Sequence, residues 1–177
     1  MKVLGVIIAG GKSSRMGRDK AFIEWRGKPL IEHVVARLAP QVDQLVINAN
    51  GDATRFNLPV IVDRIETGTP ITGLDAALSY AVENGFDFVL TTPCDTPMLP
   101  QDLFLRLKGE GAAIACSGGQ AHYLTGLWPA GCLPLLKELR RVQDFAAATK
   151  ARRVVWAIEG HDPFLNVNTP QDFSNLP

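Results

Sequence analysis

Four cations, Lys12, Arg15, Arg18 and Lys20, fall within nine residues, directly after the pair Gly10-Gly11. Only Asp19 opposes them. Glycines without side chains let backbone N–H groups approach an anion closely, and Lys and Arg supply charge-assisted donors. Together these are the parts needed to hold a triphosphate, the alternative being a solvated basic loop on a tight turn. Asp95 lies between Pro93 and Pro97, which restrict the backbone around its carboxylate. It reads either as a fixed acidic ligand or as the cap of a following helix. Asn48, Asn50 and Asp63 stand where strands should end, as site residues or as turn residues. Asn166 and Asn168 alternate with Val167, so they share one face of an extended chain. Asx-turn chemistry before Thr169-Pro170 is the competing reading. Lys20 could also pair with Glu24 at helical spacing.

The elements that must position these residues alternate. Val3–Ala9 is a continuous apolar run, as expected of a strand buried on both faces in a parallel sheet. A helix is predicted over 29–38, where apolar residues recur at 30, 31, 34, 35 and 38 between Pro29 and Pro40. Short strands are predicted at 44–50 and 58–62, then a loop over 63–73 and a helix over 74–83. Next come a strand at 86–92, a short helix at 101–108, and strands at 112–116 and 122–128. Helices at 132–141 and 142–149 precede a strand at 153–158 and a strand-like turn over 164–170. Such alternation predicts a three-layer α/β/α sandwich, Rossmann-like, around a mostly parallel central sheet. No linker divides the chain. One domain over 1–177 is expected.

Composition narrows the function. In 177 residues, 18 Lys and Arg balance 18 Asp and Glu. That balance argues against a nucleic-acid partner, which would call for a basic excess. Cys94, Cys116 and Cys132 form neither a disulfide framework nor a CxxC metal pair and read as free thiols. Neither a signal-peptide pattern nor a membrane-length apolar run is present, so no membrane partner and a cytoplasmic location are expected. His33, His122 and His161 are scattered and read as structural. Cys94 adjoins Asp95 but lacks a base that would make it a nucleophile. Six basic and two acidic residues between Lys137 and Arg153 read as a solvated helical face.

Two common phosphate motifs fail. A P-loop ending at Gly11-Lys12-Ser13 would need glycine at Val6, and no third glycine completes a dinucleotide fingerprint. The stretch Ile8-Ala9-Gly10-Gly11-Lys12-Ser13-Ser14-Arg15-Met16-Gly17-Arg18-Asp19-Lys20-Ala21 instead resembles the signature of the molybdenum cofactor guanylyltransferases. These belong to the nucleotidyltransferases of the nucleotide-diphospho-sugar transferase type. The resemblance continues in order through Asn48, Asp63, the loop Gly68–Gly73, Pro93-Cys94-Asp95-Thr96-Pro97 and Phe164-Leu165-Asn166-Val167-Asn168-Thr169-Pro170.

The resemblance implies transfer of GMP from GTP to the phosphate of molybdenum-loaded molybdopterin, with Mg2+ as cofactor. It implies that Ile8, Ala9, Gly10 and Gly11 frame the nucleotide, that Lys20 contacts its phosphates, and that Asn48 and Asp63 lie around base and ribose. Asp95 would bind the metal. Arg15, Lys20, Asp95, Asn166 and Asn168 would form the catalytic set, the two asparagines on the side where the pterin enters. Gly10-Gly11 resembles the guanylyl branch, whereas the cytidylyl branch usually carries Ala-Ala-Gly, so GTP is expected over CTP. The loop at 68–73 departs from the family's usual Gly-Pro-Leu-Ala-Gly: Thr69 precedes Pro70, and Ile71-Thr72 replaces Leu-Ala. A related transferase using CTP or another acceptor, and a nucleotide-binding module without turnover in cofactor assembly, are the alternatives. The implied nucleophile is already an anionic phosphate oxygen, so no side-chain base is required, and positioning and electrostatics carry the rate.

Overall fold

Strand β1 (Val3–Ile8) is buried along its whole length, as its unbroken apolar run requires. The computed structural model describes residues 1–10, 20–64, 69–168 and 170–177. Gly11, Lys12, Arg15 and Arg18 of the cation-rich loop lie outside the described residues, as do Gly68 and Thr169. After the loop, a 3-10 turn (Lys20–Phe22) leads into a small hairpin of β2 (Glu24–Trp25) and β3 (Lys28–Pro29). Then follow α1 (Leu30–Leu38), β4 (Gln44–Asn48), β5 (Val60–Ile61), α2 (Pro70–Glu83) and β6 (Phe88–Pro93). The chain continues through α3 (Leu103–Leu107), β7 (Ala113–Ser117), β8 (Gln120–Pro129), α4 (Val142–Ala148) and β9 (Arg152–Trp156).

Seven strands form one sheet in the order β5-β4-β1-β6-β8-β7-β9. β1 pairs in parallel with both β4 and β6, and β4 with β5. β8 runs against both of its neighbours, while β7 and β9 are parallel. The reversal at β8 comes from a two-residue hairpin, in which Gly118 and Gly119 take φ of +52° and +79°. Only glycine enters both positions without steric cost, as a tight turn between twisted strands demands.

Two cores flank the sheet. On one face Ile7 packs with Ile31, Val34 and Leu38 of α1 and with Leu103 and Leu107 of α3. On the other, Leu4, Val6 and Ile8 meet Leu74, Leu78 and Ala81 of α2 and Phe145 of α4. The chain therefore leaves β1 toward β4 across one face and reaches β6 across the other. A crevice opens at such a reversal, beyond the carboxyl ends of β1 and β6, where open α/β sheets bind ligands.

Two expected elements differ. The helix expected over 132–141 is a 3-10 helix at Ala130–Leu136 containing Pro134. Proline lacks the N–H and crowds the carbonyl four residues back, so an α-helix cannot run through it. The helix expected from 74 starts at Pro70, whose fixed φ suits the first helical position. Among the described residues no helix is long and apolar enough to cross a membrane.

Candidate active site

The carboxyl ends of the first strands are tied to one another. Ala9 N–H donates to the Asn48 carbonyl (2.8 Å), and Cys94 N–H donates to the Ile8 carbonyl (3.2 Å). Ile8, Ala9 and Gly10 thus sit between the end of β4 and the end of β6.

Asn48 is 1% exposed. Its Nδ2 donates to Asp63 Oδ1 (2.9 Å) and to the Ile61 carbonyl (3.3 Å). Asn50 Nδ2 donates to Asp63 Oδ2 (3.0 Å), and Asp63 N–H donates back to Asn50 Oδ1 (3.0 Å). The Thr72 hydroxyl also lies against Asp63 Oδ2 (2.8 Å). Asn50, whose place at a strand end points to a turn residue, is a reciprocal partner of Asp63. Thr72, the departure in the 68–73 loop, is a third support. A carboxylate oxygen accepts about two hydrogen bonds, so Oδ1 retains room for one further donor.

Asn48 owes its place to Gly73 on α2. A Cβ there would overlap Asn48 Oδ1 and lie 3.2 Å from Asn48 Cγ. The amide cannot swing away without breaking its bonds to Asp63 and Ile61. Gly73→Ala is therefore expected to cost about 2 kcal/mol, as overpacking of a filled interior does. For a chain of this size that is a fall in Tm of roughly 5 °C. A thermal melt checks it.

Asp95 follows β6 directly and is 8% exposed. The next α-helix begins only at Leu103, with Asp102 at its cap position, so Asp95 is not a helix cap. Its Oδ1 is buried without a hydrogen-bond partner, as is Asn48 Oδ1. Its Oδ2 lies 3.7 Å from Lys20 Nζ. Burial pushes the Asp95 pKa above the ordinary carboxylate value, and the Lys20 charge opposes that shift. Lys20 also donates to Asn168 Oδ1. Glu24 lies in β2, so the helical Lys20–Glu24 pair does not form.

Asn166 and Asn168 are both exposed, while Val167 between them is fully buried, as their alternation predicts. The segment forms no sheet ladder. It is fastened by Val167 N–H to the Asp95 carbonyl (2.9 Å) and by Asn168 N–H to Asp172 Oδ2 (2.7 Å). Lys20, Asp95 and Asn168 are thus brought together, and Asn48 and Asp63 form a second cluster on the β4–β5 side. Arg15 and Gly11 lie outside the described residues.

A buried acid, a lysine and a polar cluster at the strand ends of a mostly parallel sheet suit a nucleotide-handling enzyme. Known proteins agree. The pattern of the MobA-like NTP transferase domain matches residues 5–159. A molybdenum cofactor guanylyltransferase of Cereibacter sphaeroides is 42% identical, covering 98% of this chain and 95% of its own. That of Rhodobacter capsulatus is 41% identical, covering 98% and 94%. The crystal structure of molybdopterin-guanine dinucleotide biosynthesis protein A from Archaeoglobus fulgidus superposes with a TM-score of 0.74 at 21% identity, covering 97% of this chain and 95% of that one. The chain belongs to the MobA-like NTP transferase family, the nucleotidyltransferases of molybdenum cofactor biosynthesis.

Proposed function

We propose that the protein transfers GMP from GTP to the phosphate of molybdenum-loaded molybdopterin, with Mg2+ held at Asp95. The family carries the activity, and the buried, unpartnered Oδ1 of Asp95 beside Lys20 carries the mechanism. A pterin phosphate oxygen attacks the α-phosphorus of GTP. The new P–O bond forms as the bond to the β-phosphate bridging oxygen breaks, and pyrophosphate leaves with the electron pair.

Asp95 fits a divalent cation. Its carboxylate offers a hard oxygen with no competing donor, and Mg2+ commonly takes one or two carboxylates and completes its shell with phosphate and water. Among the described residues no group of three His, Cys, Asp or Glu side chains converges, so substrate phosphates would supply the other ligands. When bound, Mg2+ would offset the charge that gathers on the departing pyrophosphate. Lys20 adds a second positive charge on that side. The Asn48, Asn50 and Thr72 donors hold Asp63 so that its remaining lone pair meets a donor of the nucleoside. Ile8, Ala9 and Gly10 line the nucleotide with backbone, and Asn166 and Asn168 face the acceptor. The first part of the sheet serves the nucleotide and the part after residue 100 the acceptor.

Incubation with GTP, Mg2+ and molybdenum-loaded molybdopterin is expected to yield the dinucleotide and equimolar pyrophosphate. Omission of Mg2+ should stop it. Equal or better turnover with CTP would overturn the guanylyl reading, and nucleotide binding without pyrophosphate release would leave only a binding module.

A further inference from the structure

Ser117, His122 and Asp162 meet outside the two clusters described above. Ser117 ends β7 and His122 lies near the start of β8, joined by the Gly118-Gly119 turn. β7 runs in the same direction as β6, so this trio stands at the same end of the sheet as Asp95. Ser117 Oγ lies 2.7 Å from Asp162 Oδ1 and 2.7 Å from His122 Nε2. A carboxylate only accepts, so the single hydroxyl proton of Ser117 goes to Asp162. His122 therefore donates its Nε2–H to Ser117 Oγ. A nucleophilic serine must donate to its imidazole instead, so the trio is not a hydrolytic triad.

What it does is fasten a segment without regular structure. Asp162 Oδ1 also accepts from Phe164 N–H (2.9 Å), and the Asp162 carbonyl accepts from Leu165 N–H (3.1 Å). The chain is thereby wrapped around one carboxylate that Ser117, 1% exposed, ties to the sheet. The His122 ring packs on Phe164 at 4.8 Å, and Phe164 meets Trp156 edge-on at 5.2 Å. Three residues further on, Val167 is bonded to the Asp95 carbonyl and Asn168 receives Lys20. Between those two anchorages lies Asn166.

We propose that Ser117, His122 and Asp162 are positioning residues that fix the 162–168 segment, and through it Asn166 and Asn168, for the incoming pterin phosphate. The inference rests on the reading of those asparagines as acceptor-facing. Misplacing a positioned group by about 1 Å costs up to roughly 10²-fold, so Asp162→Ala is expected to lower kcat/KM for molybdenum-loaded molybdopterin by about 10- to 100-fold. GTP affinity, measured by calorimetry on the same protein, should fall clearly less than the acceptor kinetics, because none of the trio touches the Asn48–Asp63 cluster and the segment reaches the nucleotide side only through Asn168 and Lys20. Ser117→Ala removes one oxygen and carries the same expectation, so the test stands even where Asp162→Ala protein fails to fold. Asp162→Asn keeps Oδ1 as an acceptor and should restore the acceptor kinetics to within about threefold. Normal acceptor kinetics in Asp162→Ala or Ser117→Ala overturns the proposal, as does an equal loss of GTP affinity or an Asp162→Asn protein as impaired as Asp162→Ala. Asn168→Ala separates the two readings. If it turns over normally, the acceptor site itself is misread. If it is impaired while the Asp162 and Ser117 variants are not, the fastening alone is misread.

Discussion

If Asp95 holds the cation as proposed, Asp95→Asn protein should lose turnover by about 10³-fold, because the carboxylate that would keep Mg2+ against the phosphates is removed. The same protein should be more resistant to heat at neutral pH. Burial raises the Asp95 pKa in the folded chain, so ionising it there costs more than in the unfolded chain. That penalty is absent below the ordinary carboxylate value of 3.8 and is complete above the raised folded value. Asn lacks it at every pH. The gain in Tm over the natural protein is therefore expected at pH 7 and should vanish as pH falls toward 4. A loss of both stability and activity would mark Asp95 as a structural anchor. Calorimetric titration of GTP with and without Mg2+ gives the matching readout, since the metal dependence of binding should disappear with the carboxylate.

Lys20→Ala should lower kcat/KM for GTP by about 10²- to 10³-fold, the usual cost of removing one fixed donor from a charge-stabilising site. Lys20 offsets part of the cost of burying the Asp95 charge, so Tm at neutral pH should fall when it is removed. Lys20→Arg is not expected to rescue. A planar guanidinium is broader than an ammonium and cannot sit between Asn168 Oδ1 and Asp95 Oδ2 in the same way. Steady-state kinetics of both variants decide it, and full activity in Lys20→Ala would remove the residue from the phosphate site.

Where sequence reading worked, local chemistry announced long-range placement. The apolar run before Gly10 can only be a doubly buried strand, and Asp95 follows β6 as the order of strand and proline demanded. The alternation around Val167 correctly put Asn166 and Asn168 on one exposed face. Other signals were present and went unread. Ser117-Gly118-Gly119-Gln120 spells a two-residue hairpin, which alone fixes β8 as antiparallel. Pro70 marks a helix start, yet the flanking Thr and Gly made the stretch look like loop. Pro134 forbade the α-helix expected over 132–141. The supports of Asp63 could not have been read at all. Asn48, Asn50 and Thr72 reach it from 15, 13 and 9 residues away, across three elements. No spacing rule links them. Lys20 and Asn168, 148 residues apart, meet only because the chain returns to the rim after completing the sheet.

β6 is hydrogen-bonded on both sides, to β1 and to β8, and is covered by helices above and below. Amides in such a strand become open to solvent only when the whole domain unravels, whereas a 3-10 turn beside a two-rung hairpin unzips at far lower cost. The carboxylate therefore stands two residues beyond the end of the most securely held strand, whereas the lysine comes from a short 3-10 turn anchored by Ala21 in the core and by its contacts to Asn168 and Asp95. Any movement of the cation on substrate entry is therefore felt by the acid through their shared ion pair, while the strand behind the acid stays in place.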